Sequence, residues 1–235
     1  VNGERLEDHF ADYQIHDGDN IVLTYGSNPV VTFDTNAGSL PFLLLKDEAP
    51  DTVDNFLRYI NGGVDGNGYT GSIFHRNDSG FVLQGGGFRP TSLTTTDLAE
   101  IQGDFIVATN NYEHHIPTFT PIGDERVAGD RSNTIGTLAM AKNSAGATSE
   151  FFYNIGDNSF LDSQGFTVFA IALGSAKPDD TPVPTAPINL ITGLTRVDVD
   201  PSNDGTGAFS VFDNVPFTAD GEMVAFQAIL GEGLV

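Results

Sequence analysis

The chain has 235 residues, 32 of them acidic and 10 basic, which gives a formal net charge of −22 and an isoelectric point near 4.1. Such a surface repels phosphate backbones and argues against a nucleic-acid partner. The absence of Cys excludes disulfides, thiol catalysis and Cys-ligated metal, while the length suffices for one domain with a full core, including an all-β one.

Residues 1–29 are predicted to be an N-terminal extension. A turn signal at residues 17–20 precedes the apolar run 21–23, which indicates a short hairpin. No apolar run is long enough to insert into a membrane, and no basic-then-apolar leader is present. Because the chain begins at Val1 rather than Met, we expect a processed or excised segment of a periplasmic or secreted protein.

Residues 30–46 are rich in β-branched and aromatic residues on either side of a turn-like stretch, 36–38, and are predicted to form a hairpin. Pro50 opens a predicted helix that Gly62 ends. The apolar stripe of this helix comprises Val53, Phe56, Leu57 and Ile60.

The stretch from residue 74 to 88, FHRNDSGFVLQGGGF, joins Arg76 and a turn to an alternating segment and three glycines. Strand alternation predicts that Phe81 and Leu83 share one face while Val82 and Gln84 share the other. The glycines at 85–87 let the backbone bend or approach another group closely, since they carry no Cβ. Periodicity alone indicates a hairpin near a sheet edge.

A long polar segment at residues 89–120 contains the adjacent pair His114 and His115. Neighbouring side chains on a strand point in different directions, so the pair is a poor chelate. We therefore predict an exposed loop and no metal site there.

The C-terminal third is predicted to hold a loop, a helix and the last strand. Residues 174–187 are rich in Pro, Asp and Thr and indicate an inserted loop. The spacing of Ile188, Ile191 and Leu194 predicts a helix within 188–197. The acidic turn at 198–205 lacks the glutamate that completes an EF-hand, so an Asx-rich turn is the interpretation. Residues 213–230 are predicted to form the final strand.

Two blocks of the sequence resemble a known family. FHR followed by GFVLQGGGF closely resembles the signature of the cyclophilins, the peptidyl-prolyl cis-trans isomerases. Residues 136–162, GTLAMAKNSAGATSEFFYNIGDNSFLD, follow in the expected order and are similar to the bacterial form of the family. The resemblance extends over residues 30–235, with loop insertions near 89–120 and 174–187, and is specific in the two blocks. It implies an all-β (mainly β) fold, a closed antiparallel eight-stranded cyclophilin-like β-barrel capped by two helices.

The resemblance also implies a chemistry without a cofactor. Rotation about an X-Pro bond must break amide resonance, a barrier of roughly 18–20 kcal/mol, although the two ground states differ by only about 0.5–1 kcal/mol. The twisted prolyl nitrogen regains a lone pair that can accept a hydrogen bond. Arg76 is the permanent donor in the signature, and its expected task is electrostatic stabilisation of the twisted amide.

Each further site residue is assigned by its match to the family motif. The catalytic set implied by the resemblance is Arg76, Phe81 and Gln84, with Phe81 as an apolar wall and Gln84 as a holder of the substrate backbone. The substrate-binding set comprises Val82, Ala141, Glu150, Phe152, Phe160, Leu161 and Phe166. For the apolar residues the alternative is ordinary core packing, and for Gln84 it is a strand amide with satisfied hydrogen bonds.

Four of these positions depart from the eukaryotic pattern of the family. Val82 replaces a methionine and should widen the pocket, and Phe166 replaces a histidine or tyrosine. Phe160 replaces a tryptophan, so the indole donor for cyclosporin is missing and weak cyclosporin binding is expected. Glu150 replaces a glutamine and, if it approaches Arg76, would form an ion pair that competes with substrate.

The resulting prediction is a monomeric prolyl isomerase that acts on proline-containing polypeptides during protein folding. One alternative is a proline-peptide-binding chaperone module with weak turnover, consistent with Val82 and Glu150. The other is a calcium-dependent extracellular interaction module on the same scaffold. Turnover separates the first alternative from the enzyme, and a calcium-dependent rise in melting temperature would support the second.

Overall fold

The computed structural model describes residues 28–93, 114–127, 130–173, 186–198, 212 and 214–230. Within these residues, two α-helices, α1 (Pro50–Ile60) and α2 (Ala186–Thr192), and one 3-10 helix (Ser159–Gln164) accompany the strands. The strands of the described part of the chain are β1 (Val30–Thr35), β2 (Gly38–Leu44), β3 (Ser72–Asn77), β4 (Val82–Gly85), β5 (Thr137–Asn143), β6 (Gly146–Asn154), β7 (Val168–Ala172), β8 (Thr195–Val197), β9 (Val215–Phe217) and β10 (Ala225–Leu230).

Eight of the strands close into an antiparallel barrel in the order β1-β10-β3-β4-β6-β5-β7-β2. The β1–β2 hairpin turns at Asn36, as the sequence predicts, and pairs Thr35 with Gly38. β8 and β9 form a separate two-stranded sheet. The predicted closed eight-stranded fold is confirmed.

Phenylalanines fill the barrel interior. Phe33 lies near the middle, with ring centroids of its neighbours 5.1 to 6.5 Å away, namely those of Phe42, Phe56, Phe74, Phe151 and Phe226. All six side chains are almost fully buried. Aromatic rings at these separations add pairwise stabilisation to the burial of apolar area, which gives the barrel a rigid centre.

The helix α1 packs its apolar side against the core of the barrel, and its predicted stripe is largely confirmed. Val53 and Phe56 are fully buried, and Pro50 occupies the first turn, where its missing N–H is harmless. The carboxylate of Glu125 accepts hydrogen bonds from the backbone N–H groups of Asp51 (2.8 Å) and Thr52 (2.5 Å). A residue distant in sequence thus satisfies donors that the helix itself leaves unpaired.

Two predictions for the C-terminal region need correction. The helix α2 buries Ile188 and Ile191 as expected but ends at Thr192, and Thr195–Val197 forms β8 instead of a further turn. Residues 213–230 hold two strands, β9 and β10, and only β10 belongs to the barrel. Two strands form instead of the one predicted because Phe217 and Met223 pair across a turn and pack in a second apolar cluster outside the barrel.

Several predictions lie outside the described residues: the hairpin within 1–29, most of the insertion at 89–120, most of the loop at 174–187 and most of the acidic turn at 198–205. Within the described part, no helix combines the length and apolar character that crossing a membrane requires.

Candidate active site

The hairpin of β3 and β4 positions the two polar side chains at the centre of the candidate site. Phe74 pairs with Gly85 and Arg76 with Gln84, so β3 has one extra residue at His75, a β-bulge. Without the bulge, alternation would put Arg76 on the same face as the interior residue Phe74. The bulge instead brings Arg76 to the outer face of the barrel beside Gln84.

Arg76 is held by groups on both sides of its guanidinium. Its Nη2 donates to Asp78 Oδ2 at 2.5 Å, and its Nη1 donates to Gln84 Oε1 at 3.4 Å. The guanidinium carbon lies 5.6 Å from the centre of the Phe81 ring, a cation–π distance. The side chain is 23% exposed, so part of the guanidinium remains accessible from solvent.

An apolar cluster lies beside Arg76 on the outer face. Val82, Phe152 and Leu161 are buried in it, and Phe81, Ala141 and Phe166 are partly buried against them. The Phe152 and Phe166 rings meet edge to face at 5.7 Å. Phe160 lies at the rim, 56% exposed, and stacks on Phe81 at 6.0 Å. The structure therefore brings the sequence-predicted apolar residues together on one outer face of the barrel, and this face beside Arg76 is called the groove below.

The predicted face of Phe81 is wrong. Leu83 belongs to the barrel interior, whereas Phe81 packs in the outer cluster with Val82. The physical reason is that β4 begins at Val82, so Phe81 lies in the preceding turn, where strand alternation does not apply.

Glu150 contacts Gln84 and His115, so the condition for an ion pair with Arg76 is not met. Its Oε2 accepts a hydrogen bond from Gln84 Nε2 at 2.7 Å, and its Oε1 lies 3.4 Å from His115 Nε2. Burial opposes ionisation of Glu150, but the hydrogen bonds from His115 and Gln84 and the proximity of His75 lower its pKa. The hydrogen bond to Glu150 raises the pKa of His115 although burial opposes this. The Glu150 carboxylate and the His115 imidazole therefore form a pair beside Gln84.

Two of the three glycines are required by this arrangement. Gly86 has a φ of +80°, and a Cβ there would lie 2.7 Å from both Phe151 Cε1 and the Ser149 carbonyl oxygen. A Cβ on Gly87 would lie 2.9 Å from Glu150 Cδ. The predicted close approach at the glycines is confirmed, and at Gly87 the group approached is the Glu150 carboxylate.

The 3-10 helix that carries Phe160 and Leu161 is fixed by a polar loop. Asp162 Oδ1 accepts hydrogen bonds from the backbone N–H and the side-chain amide of Asn133, at 2.9 and 2.8 Å. Asp162 Oδ2 accepts from Ser132 Oγ and lies 3.1 Å from Arg126 Nη2. This carboxylate thereby holds one wall of the groove against the loop that precedes β5.

We expect Asp162→Asn to destabilise the protein by about 1–3 kcal/mol, because an amide nitrogen would face the donors that a charged oxygen now accepts from. Burial opposes the charge, but the hydrogen bonds from Ser132 and Asn133 and the charge of Arg126 lower the pKa of Asp162 below 3.8. Because its pKa is lower in the folded state, the Asp162 carboxylate adds to the free energy of unfolding at pH values above its unfolded-state pKa. This contribution is lost as the pH falls through the folded-state pKa. Urea denaturation at neutral and acid pH measures both effects.

The matched control for this prediction is Asp157→Asn, at an exposed aspartate five residues earlier. Equal losses of unfolding free energy in the two variants would contradict the anchoring role of Asp162.

Sequence reasoning missed three polar partners of the site: Asp78, His75 and His115. Asp78 lies two residues after Arg76 and was assigned only to the turn. His115 was assigned to an exposed loop, yet backbone hydrogen bonds hold its segment, from Arg89 N–H to His114 O and from Ile116 N–H to Gly87 O. Within the described residues, no group of three or more His, Asp or Glu side chains is arranged to hold a metal.

The part of the chain that matches known proteins includes the whole candidate site. The family model described as cyclophilin type peptidyl-prolyl cis-trans isomerase/CLD matches residues 30–173, a range that contains every candidate site residue. Peptidyl-prolyl cis-trans isomerase B of Escherichia coli (strain K12) is 38% identical over 138 residues, covering 58% of this chain and 68% of that protein. Peptidyl-prolyl cis-trans isomerase A of Dickeya dadantii (strain 3937) is 37% identical over 145 residues, covering 59% of this chain and 63% of that protein.

A solved structure shares the fold. It is that of a cyclophilin type peptidyl-prolyl cis-trans isomerase from Cryptosporidium parvum, crystallised in the presence of the dipeptide Ala-Pro. The TM-score is 0.50 at 19% sequence identity, and the alignment covers 87% of this chain and 99% of that one.

Proposed function

The chain belongs to the cyclophilin-type peptidyl-prolyl cis-trans isomerases, and we propose that it catalyses rotation about X-Pro bonds in the groove beside Arg76. The single observation that carries this proposal is the placement of the Arg76 guanidinium at the edge of the apolar cluster built from Val82, Phe152 and Leu161. The cluster suits a proline ring, and the guanidinium suits the amide next to it.

The catalytic task is to bind the twisted amide more tightly than either planar form. Amide resonance delocalises the nitrogen lone pair in the planar states, so the prolyl nitrogen accepts a hydrogen bond only when the bond is twisted. A donor that is strong only toward the twisted state lowers the barrier without favouring cis or trans. Arg76 meets this need because guanidinium stays charged at any ordinary pH and presents several N–H donors.

The hydrogen bonds of Arg76 support this role. Asp78 and Gln84 hold the guanidinium at its two ends, so part of its conformational entropy is lost before the substrate binds. The neighbouring apolar side chains exclude water from one side, which strengthens its electrostatic interactions. We assign Phe81, Phe152, Leu161 and Phe166 to the walls of the proline pocket and Gln84 to the substrate backbone.

The proposed substrates are proline-containing polypeptides. The structural neighbour from C. parvum was crystallised with Ala-Pro, and the groove of this chain has the apolar and polar groups that such a dipeptide requires. A flexible or unfolded chain would present its X-Pro bond in this groove without a cofactor.

The proposed activity is tested by the cis-to-trans relaxation of a short X-Pro peptide, measured in the cold so that spontaneous isomerisation takes minutes. Acceleration proportional to protein concentration is expected. Peptide binding without acceleration would contradict the proposal and favour the chaperone module.

Cyclosporin is expected to inhibit this activity only weakly. Phe160, 56% exposed at the rim of the groove, has no N–H with which to donate a hydrogen bond. Titration of cyclosporin into the relaxation assay measures the effect, and Phe160→Trp is expected to increase inhibition. Nanomolar inhibition of the unmodified protein would contradict this prediction.

A further inference from the structure

The side-chain amide of Gln84 is bound at both ends. Its oxygen accepts from Arg76 Nη1 at 3.4 Å, and its nitrogen donates to Glu150 Oε2 at 2.7 Å. An ionised carboxylate can only accept hydrogen bonds, so Glu150 determines which end of the amide faces it. Gln84 must therefore point its nitrogen toward Glu150 and its oxygen toward Arg76.

Glu150 is in turn held by His115. Oε1 of Glu150 lies 3.4 Å from His115 Nε2, and 35% of the His115 side chain is exposed to solvent. Two backbone hydrogen bonds fix residues 114–116 beside Gly87 and Arg89, and the imidazole packs edge to face on Phe88 at 5.1 Å. The ring position is thus set by the backbone and by packing as well as by Glu150.

The hydrogen bond between His115 and Glu150 depends on the protonation state of the ring, because the other ring nitrogen, Nδ1, also has a partner. Nδ1 lies 2.9 Å from the carbonyl oxygen of Ile116, and a carbonyl oxygen can only accept, so Nδ1 carries a hydrogen. A neutral imidazole has one N–H. In the tautomer that keeps the Ile116 bond, the neutral ring presents an Nε2 lone pair to the carboxylate, and the imidazolium is the form that donates to Ile116 and Glu150 at once.

We propose that Glu150 and His115 are positioning residues for the isomerase reaction, and that loss of the His115 proton releases Glu150, frees the Gln84 amide and weakens the hold on Arg76. This inference rests on the proposed function of the groove. Arg76 lies between Gln84 and Asp78, so a disordered Gln84 leaves the guanidinium to Asp78 alone. Activity is then highest with His115 protonated and decreases as the pH rises.

The other charged and titratable groups that face this network are His75, Tyr69, Arg76 and Asp78. Burial lowers the pKa of His75 to about 4, and its Nε2 lies 3.6 Å from Glu150 Oε2. Burial raises the pKa of Tyr69 well above 10. The lowered pKa of Glu150 favours its ionised form. The hydrogen bond to Glu150 raises the pKa of His115 above its ordinary 6.5, so His115 is the group whose protonation this inference concerns.

The test is the pH profile of kcat/KM for an X-Pro peptide in the unmodified protein and three variants. Without substitution, kcat/KM is expected to decrease about two- to tenfold as the pH rises through the His115 pKa, the effect of one lost hydrogen bond. In His115→Gln and Glu150→Gln this decrease disappears, because neither variant has the titrating pair. His114→Asn is the matched control, and it keeps the decrease because the adjacent histidine has no role in the network.

A second readout does not depend on activity. An NMR titration of the His115 ring is expected to give a pKa above 6.5 that returns toward 6.5 in Glu150→Gln. A flat kcat/KM profile in an active unmodified protein would overturn this inference and leave the proposed function intact. Absence of any acceleration would overturn both. A decrease that persists in His115→Gln would likewise refute the positioning role.

Discussion

Arg76→Ala is expected to lower kcat/KM for an X-Pro peptide by about a hundred- to a thousandfold, the usual cost of removing one donor to a developing charge. The loss should be expressed in turnover, because the donor is used only when the prolyl nitrogen is twisted. Folding stability should change little, since the Arg76 and Asp78 side chains are 23% and 36% exposed and water can replace their pairing. Relaxation kinetics measure the loss of turnover, and peptide titration measures binding separately.

Two further substitutions make this prediction specific. Arg76→Lys keeps the charge but loses the forked donor geometry that reaches both Asp78 and Gln84, so an intermediate loss is expected. Arg196→Ala removes the same charge from the exposed strand β8 and should leave kcat/KM unchanged. A loss of less than about threefold in Arg76→Ala would remove Arg76 from the catalytic role.

Much of the site could be predicted because its residues lie in two short motifs. The apolar groove residues and Arg76 were all named from the sequence, and the structure brings them together on one outer face of the barrel. The hairpin of β1 and β2 and the helix α1 were likewise predictable, since each depends on local periodicity and turn residues.

The sequence offers no guide where the strand alternation is interrupted or where two residues far apart in the sequence come into contact. The bulge at His75 and the start of β4 at Val82 each change which face a side chain occupies, and neither has a distinct signal in the sequence. The contact between Glu150 and His115 was not predicted, for another reason. His115 lies 35 residues earlier, in a segment with no regular strand pattern, and only the bridge to Phe88 brings it to the groove.

Neighbouring side chains of β6 point to opposite faces of the barrel wall, so this strand contributes both to the groove and to the core. Phe152 faces the outer apolar cluster, whereas its neighbour Phe151 faces the interior. Phe151 is fully buried, and its ring lies 5.2 to 6.4 Å from the rings of Phe33, Phe56, Tyr69, Phe74 and Phe226. The side chain thus connects β1, α1, β3 and β10 at the centre of the barrel.

Phe151→Ala is therefore expected to lower the free energy of unfolding by about 3–5 kcal/mol, through lost burial and the cavity left among rings that cannot all move inward. That is a large fraction of the roughly 5–15 kcal/mol typical of a folded domain. Urea denaturation should show a lower midpoint with an unchanged slope. Phe160→Ala, at a ring 56% exposed on the groove rim, removes the same atoms and should cost about 1 kcal/mol or less. Similar losses in the two variants would mean that the aromatic interior does not dominate the stability of the barrel.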